Sequence, residues 1–134
     1  MSTGTEILAL TEGKSSHFIA TMGTGGTITG CAQSLNTLSE EEGKKPPQII
    51  GVDPIGSILK EYFETGKMGV PHTYKVEGFG EDFIPPATDF THIDEIRQVN
   101  DEQCFIMARR LARKEGLFSG GSAGGAIQMD LEVA

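Results

Sequence analysis

The sequence predicts an α/β fold with a mainly parallel open sheet and helices on both faces. Three observations carry that expectation. Residues 17–22 and 48–52 are short, apolar, partly β-branched runs separated by a helical pattern, the spacing of a βαβ unit and hence of a parallel strand pair. A third such run, Glu95–Val99, leads into a capped helical stretch. The 18 glycines gather around residues 23–30, 78–80 and 116–125 instead of spreading as a linker would spread them, which points to close backbone approach at a few places.

Composition narrows the classes of function. A chain of 134 residues fits one domain with a sizeable core. No apolar run approaches the ~18 residues of a membrane span, and no basic-then-apolar leader opens the sequence. The expectation is therefore a cytoplasmic protein with no membrane partner. Cys31 and Cys104 both fall in helical patterns and read as reduced core thiols. A net charge of -8 argues against nucleic acid as a partner. It leaves room for a local phosphate site, since backbone N–H groups hold phosphate without lysine.

Along the chain, residues 3–12 form an expected short helix with Thr3 or Thr5 as N-cap and Gly13 as its stop. The strand at 17–22 runs into Gly23-Thr24-Gly25-Gly26-Thr27 and a helix to about Leu38. Residues 39–47 are charged, end in two prolines and read as an exposed connection. Gln48–Val52 is a second buried strand, ended by Asp53-Pro54, and Ser57–Phe63 a short helix. Tyr74–Glu77 alternates like an edge strand and leads into the turn-rich 78–85. Asn100 is a good N-cap, with Gln103 placed to complete a capping box. The helix 101–115 is expected to bury Cys104, Phe105, Ala108, Leu111 and Ala112, and Gly116 to end it. Leu117–Ser119 reads as a last strand, opening into Gly120–Gly125 and a final helix.

The most informative stretch is Gly23–Thr27. Three glycines and two threonine hydroxyls at the start of a helix make an anion cradle suited to one phosphate. A Walker loop requires Gly-Lys-Ser/Thr and a dinucleotide fingerprint requires a third glycine at position 28, which is Ile28. Neither nucleotide motif fits. Gly26 and Gly30 form a GxxxG that reads as helix packing. The second loop, Gly120-Gly121-Ser122-Ala123-Gly124, matches the GxSxG nucleophile elbow in an expected strand-to-helix setting. Serine hydrolysis is thus an alternative, although His17, His72 and His92 all precede Ser122, contrary to the triad order of that fold. The histidines lack metal-ligand spacing, so no metal is expected. His92, Asp89 and Asp94 read as a solvated loop cluster.

Taken in order, Gly23–Gly30, Gly51-Val52-Asp53-Pro54, Val76–Gly80 and Ser119–Gly124 resemble the fold type II, tryptophan synthase β-like, pyridoxal-phosphate enzymes. Within that group the chain is most similar to the cystathionine β-synthase and cysteine synthase family, with Val52–Leu59 and Glu81–Pro85 nearer the former. The resemblance implies the large-domain half of such an enzyme over residues 1–134, with pyridoxal 5'-phosphate as cofactor. It implies that Gly23, Thr24, Gly25, Gly26 and Thr27 bind the cofactor phosphate and that Ser122 hydrogen-bonds the pyridine nitrogen. A neutral hydroxyl there leaves that nitrogen largely unprotonated. Gly78, Gly80 and Glu81 would border the substrate side.

The family's Schiff-base lysine has no counterpart among the lysines here, so no catalytic residue is expected in this chain and 134 residues alone should not turn over. The implied intact enzyme replaces the β-substituent of serine or O-acetylserine with a thiol or sulfide, as a homodimer acting on small molecules. A non-catalytic remnant or interaction domain is the other alternative.

Overall fold

A computed structural model describes residues 3–134 of the chain. The element order is α1 (Thr3–Leu10), β1 (His17–Thr21), α2 (Gly26–Glu41), β2 (Gln48–Pro54), α3 (Leu59–Thr65), β3 (Glu95–Val99), α4 (Asp101–Glu115) and α5 (Gly121–Val133), with a 3-10 turn at Phe90–His92 before β3. The three strands form one sheet in the order β1-β2-β3, both pairs parallel. His17 pairs with Gln48 and Ile50 with Glu95 at the two registers.

Period-2 alternation divides the core into two layers. Phe18 and Ala20 of β1, Ile49 of β2 and Ile96 of β3 face a cluster built with Leu8, Ile28, Cys31, Leu35 and Leu59 from α1, α2 and α3. Ile19, Val52 and Val99 face the opposite way, against Val76, Phe79, Cys104 and Met129, the last two from α4 and α5. The α/β class with helices on both sheet faces is therefore the observed one. Cys31 and Cys104 are both free and buried, one in each layer.

Local chemistry sets several element ends as the sequence indicates. The Asn100 side chain accepts from the Gln103 N–H while the Gln103 side chain accepts from the Asn100 N–H, a complete capping box. Gly116 ends α4 in the left-handed conformation. Helix α1 starts at Thr3, so its cap falls outside the described residues, and Thr5 lies within the helix. It ends at Leu10, with a turn closed by the Gly13 N–H on the Leu8 carbonyl. Helix α3 lies two residues later than expected, at Leu59–Thr65.

Four expectations fail for physical reasons. Residues 117–119 form no strand: no ladder reaches them, and Phe118 is 99% exposed. A helix pair, not a βα unit, occupies this end of the chain. Tyr74–Glu77 forms no ladder either, because the Asp101 carboxylate accepts the N–H groups of Lys75 (2.9 Å) and Val76 (2.8 Å). Helix α4 fully buries Cys104 and Met107, whereas Phe105 is 37% exposed and Ala112 is exposed, with Ala108 and Leu111 half-buried. Finally, Gly26 and Gly30 do not pack against a helix. A Cβ at either position meets nothing within 4 Å.

The glycines that do permit helix contact are elsewhere. A Cβ on Gly124 would overlap the Cys104 carbonyl and lie 2.9 Å from the Ala108 nitrogen, and one on Gly125 would lie 3.0 Å from the Cys104 sulfur. Replacement of Gly124 by alanine is expected to destabilise the fold by about 1–3 kcal/mol through overpacking of α4 on α5. Gly30→Ala, in open space within α2, should stabilise by roughly 0.5–1 kcal/mol. Urea unfolding of the two variants checks both signs.

Asp53 is fully buried at the end of β2. Its Oδ2 accepts the Lys60 N–H at 3.1 Å, while Oδ1 has no hydrogen-bond partner among the described residues. Burial raises its pKa from 3.8 to about 6, with Ser57 and Lys60 pulling the other way. A raised folded-state pKa means the folded chain binds the proton more tightly than the unfolded one, so this group's contribution is present below pH 4 and lost as pH rises through 6. The advantage of Asp53→Asn over the unaltered chain should grow by about 2 kcal/mol between pH 4 and pH 7. Urea midpoints of both proteins across that range measure it.

Candidate functional site

The parallel sheet places the ends of β1 and β2 side by side, and the Met22 N–H extends their ladder to the Val52 carbonyl at 2.9 Å. Beyond Met22 the chain turns through Gly23–Gly25 into α2. Gly25 caps the helix at φ +87 with no side-chain hydrogen bond. A Cβ there would overlap the Thr88 hydroxyl, so both conformation and space require glycine. The first-turn N–H groups of α2 thus lack a capping side chain and sit at the positive end of the helix dipole.

A cavity of about 280 Å³ lies against this turn, lined by Thr21, Gly23, Thr24, Gly25, Thr27, Ile28 and Gly78 among others, with Ala126 of α5 closing it. Gly26 is exposed and is not among the lining residues, and a Cβ there would meet nothing within 4 Å. A wider cavity of about 830 Å³ shares Gly23, Thr24 and Gly78, and extends along Tyr74–Glu81.

Three separate segments meet where the cavities join. The position of a Cβ on Gly78 is 3.5 Å from Ser122 Oγ in the first turn of α5. That of a Cβ on Gly23 is 3.5 Å from the Gly78 carbonyl and 3.9 Å from Glu81 Oε1. The structure therefore brings Gly23, Gly78, Glu81 and Ser122 together, with Thr24, Gly25 and Thr27 lining the narrower end. Gly80 borders the wider cavity and donates its N–H to the Met22 carbonyl at 2.6 Å.

The donor set is uncharged at the narrow end and acidic at the wide end. Backbone N–H groups and threonine hydroxyls suit a phosphate, and the Ser122 hydroxyl stands 3.5 Å from the position of a Cβ on Gly78, a residue that lines both cavities. Pyridoxal phosphate is a ring carrying a phosphate, and the residues present fit it. Lys75 is exposed where it lines the wider cavity. Tyr74, expected only as part of an edge strand, lines the same cavity. Burial and the charges of Glu81, Asp53 and Asp82 raise the pKa of its phenol, keeping it a hydrogen-bond donor. Its only sequence mark is its place four residues before Gly78.

The nucleophile-elbow setting expected for Ser122 is absent, because no strand precedes α5. The histidines are scattered. His92 pairs with Asp89 at 3.5 Å, while Asp94 accepts the Ile49 N–H at 2.7 Å. Among the described residues no group of three His, Cys, Asp or Glu side chains is placed to hold a metal, and no helix is long and apolar enough to cross a membrane. Incubation with a fluorophosphonate probe is expected to leave Ser122 unlabelled, with intact-mass spectrometry as the readout.

Comparison with known sequences puts this α/β fold in a class of pyridoxal-phosphate protein. The chain belongs to the family described as "Pyridoxal-phosphate dependent enzyme", whose sequence profile matches residues 1–129. Pyridoxal phosphate is the cofactor of that family. The chain is 44% identical over 135 residues to cystathionine beta-synthase of Oryctolagus cuniculus, an alignment covering 99% of this chain and 23% of the relative. It is 38% identical over 131 residues to the O-acetylserine dependent cystathionine beta-synthase of Bacillus subtilis, covering 98% and 39%. With cysteine synthase of Buchnera aphidicola it shares 37% over 132 residues, covering 98% and 40%. The chain thus spans from about a quarter to two fifths of the length of these relatives.

Proposed function

We propose that residues 1–134 form a cofactor-binding α/β unit of a β-replacement enzyme, which exchanges the β-substituent of serine or O-acetylserine for a thiol or sulfide. The observation that carries the reading is the convergence of the uncapped α2 turn, Gly78 and Ser122 around joined cavities. Gly23, Thr24, Gly25, Gly26 and Thr27 would hold the phosphate through N–H groups and hydroxyls. Ser122 would face the pyridine nitrogen. Gly78 and Gly80 would leave room on the substrate side, where Glu81 stands as the charged group that the substrate meets. When bound, pyridoxal phosphate supplies an electron sink that makes the substrate's α-proton acidic and its β-substituent a leaving group.

Identity of 44% to a cystathionine beta-synthase against 37% to a cysteine synthase supports an amino-acid thiol as second substrate. The partners proposed are accordingly small molecules, with a homodimer as the assembly of the full-length enzyme and the cytoplasm as its location. Among the described residues no lysine lines the cavity against the α2 turn, and Lys75 stands exposed on the wider one.

Titration of the chain with pyridoxal phosphate, followed by cofactor fluorescence, is expected to saturate at one equivalent, with inorganic phosphate competing. Thr27→Val should weaken binding about tenfold, the loss of one hydrogen bond to a charged group. A chain that binds no pyridoxal phosphate would be a remnant with the fold and without the site.

A further inference from the structure

Glu81 reaches the site from a segment with no regular secondary structure, so something other than a helix or strand must hold it. Ser57, in the turn before α3, does so with one hydroxyl. Its Oγ donates to the Glu81 carbonyl at 3.1 Å and accepts the Glu81 N–H at 3.0 Å. The adjacent Ile58 N–H donates to the same carbonyl at 3.1 Å. Both anchoring residues are rigidly placed: Ser57 is 9% exposed and Ile58 1% exposed, and the Ser57 N–H is bonded to the Pro54 carbonyl at 3.0 Å.

The neighbouring residue is fixed independently. Gly80, at φ +81, donates to the Met22 carbonyl, and a Cβ on it would overlap the Pro54 ring and lie 2.8 Å from the Tyr74 hydroxyl. The segment is therefore fastened to the end of β1 at Gly80 and to the turn after β2 at Glu81. Only the second fastening depends on a side chain. Ser57 itself lines neither cavity; its hydroxyl also accepts the Leu59 N–H at 3.4 Å and lowers the pKa of the buried Asp53, but of these partners Glu81 is the one that lines the wider cavity.

We propose that Ser57 is the positioning residue for the substrate side of the cavity: by clasping both backbone groups of Glu81 it fixes where that carboxylate stands relative to Gly23, and so which amino-acid portion can be seated beside the cofactor. The inference rests on the cofactor reading above, but half of its test does not. Removing the hydroxyl leaves the Glu81 N–H without its partner and frees the carboxylate to swing, while the phosphate cradle on α2 is untouched.

The test uses the 134-residue chain, Ser57→Ala and Ser57→Thr, with two probes: pyridoxal phosphate and N-(phosphopyridoxyl)-L-serine, a stable secondary amine that carries the amino-acid portion. Ser57→Ala is expected to bind pyridoxal phosphate within about twofold of the unaltered chain and phosphopyridoxyl-serine about tenfold more weakly, with Ser57→Thr restoring the difference. Hydrogen exchange at the Glu81 amide should quicken about tenfold or more in Ser57→Ala while the α2 amides keep their rates. Should Ser57→Ala not fold, Ser57→Cys is read by the same two measurements. Unchanged exchange at Glu81, or equal loss of both ligands, overturns the positioning role alone. An unaltered chain that binds neither ligand overturns the cofactor reading and the positioning role with it, whatever the exchange shows.

Discussion

Parallel pairing of β1 with β2 and of β2 with β3 is the constraint on which the remaining geometry depends. It sends all three strands toward the same rim, so that the chain must turn there after each of them. After β1 the turn is the glycine cap of α2, and after β2 it is the Pro54–Ile58 corner, in which Pro54, Ser57 and Ile58 are buried. The irregular 74–81 segment then crosses both, tied to β1 at Met22 and to that corner at Ser57. Opposite it, α5 is drawn close enough to bring Ser122 to Gly78 because Gly124 and Gly125 let it press on α4 and the second layer. A site assembled from three separate stretches of chain is thus the product of one sheet and one close helix pair.

Much of this was legible where a local rule and the tertiary arrangement agree. The Asn100–Gln103 capping box, the Gly116 stop and the burial of β2 each arise from residues within one turn or one strand. The glycine cap of α2 was equally plain, since Gly25 is required by its own conformation. Legibility ended where a distant group settles the outcome. Tyr74–Glu77 has the pattern of a strand, yet its N–H groups are taken by Asp101, a residue some twenty-five positions away that also opens α4. Leu117–Ser119 has a strand's composition but no neighbour with which to pair. The apolar stripe of α4 was displaced toward Met107 because α5 seats on the Cys104–Ala108 side. In the candidate site the glycines and Ser122 could be read from motifs. Tyr74 and Ser57 could not, since each acts through contacts made across the fold.

The electrostatic layout of the site has the same division. Its narrow end offers dipoles and hydroxyls, which attract an anion without a competing carboxylate. Its wide end carries Glu81, with Asp82 and the buried Asp53 close enough to raise the Tyr74 phenol. The two ends meet at Gly23, where Glu81 Oε1 comes within 3.9 Å of the position of a Cβ. Asp53 belongs to this set at a cost in stability, as a carboxyl with one oxygen unpartnered among the described residues.

The two cysteines, one on each side of the sheet, give the molecule a means of reporting on its own layers. Burial raises both thiols above their ordinary range, Cys104 to about 11, so neither reacts readily while its layer is closed. A thiol reagent must wait for the α1–α2 side to open before it meets Cys31, and for the α4–α5 side before it meets Cys104. The two modification rates therefore time the opening of each half of the core separately, without any foreign label in the chain. The half that carries the phosphate cradle and the half that carries Ser122 can be tracked as independent clocks.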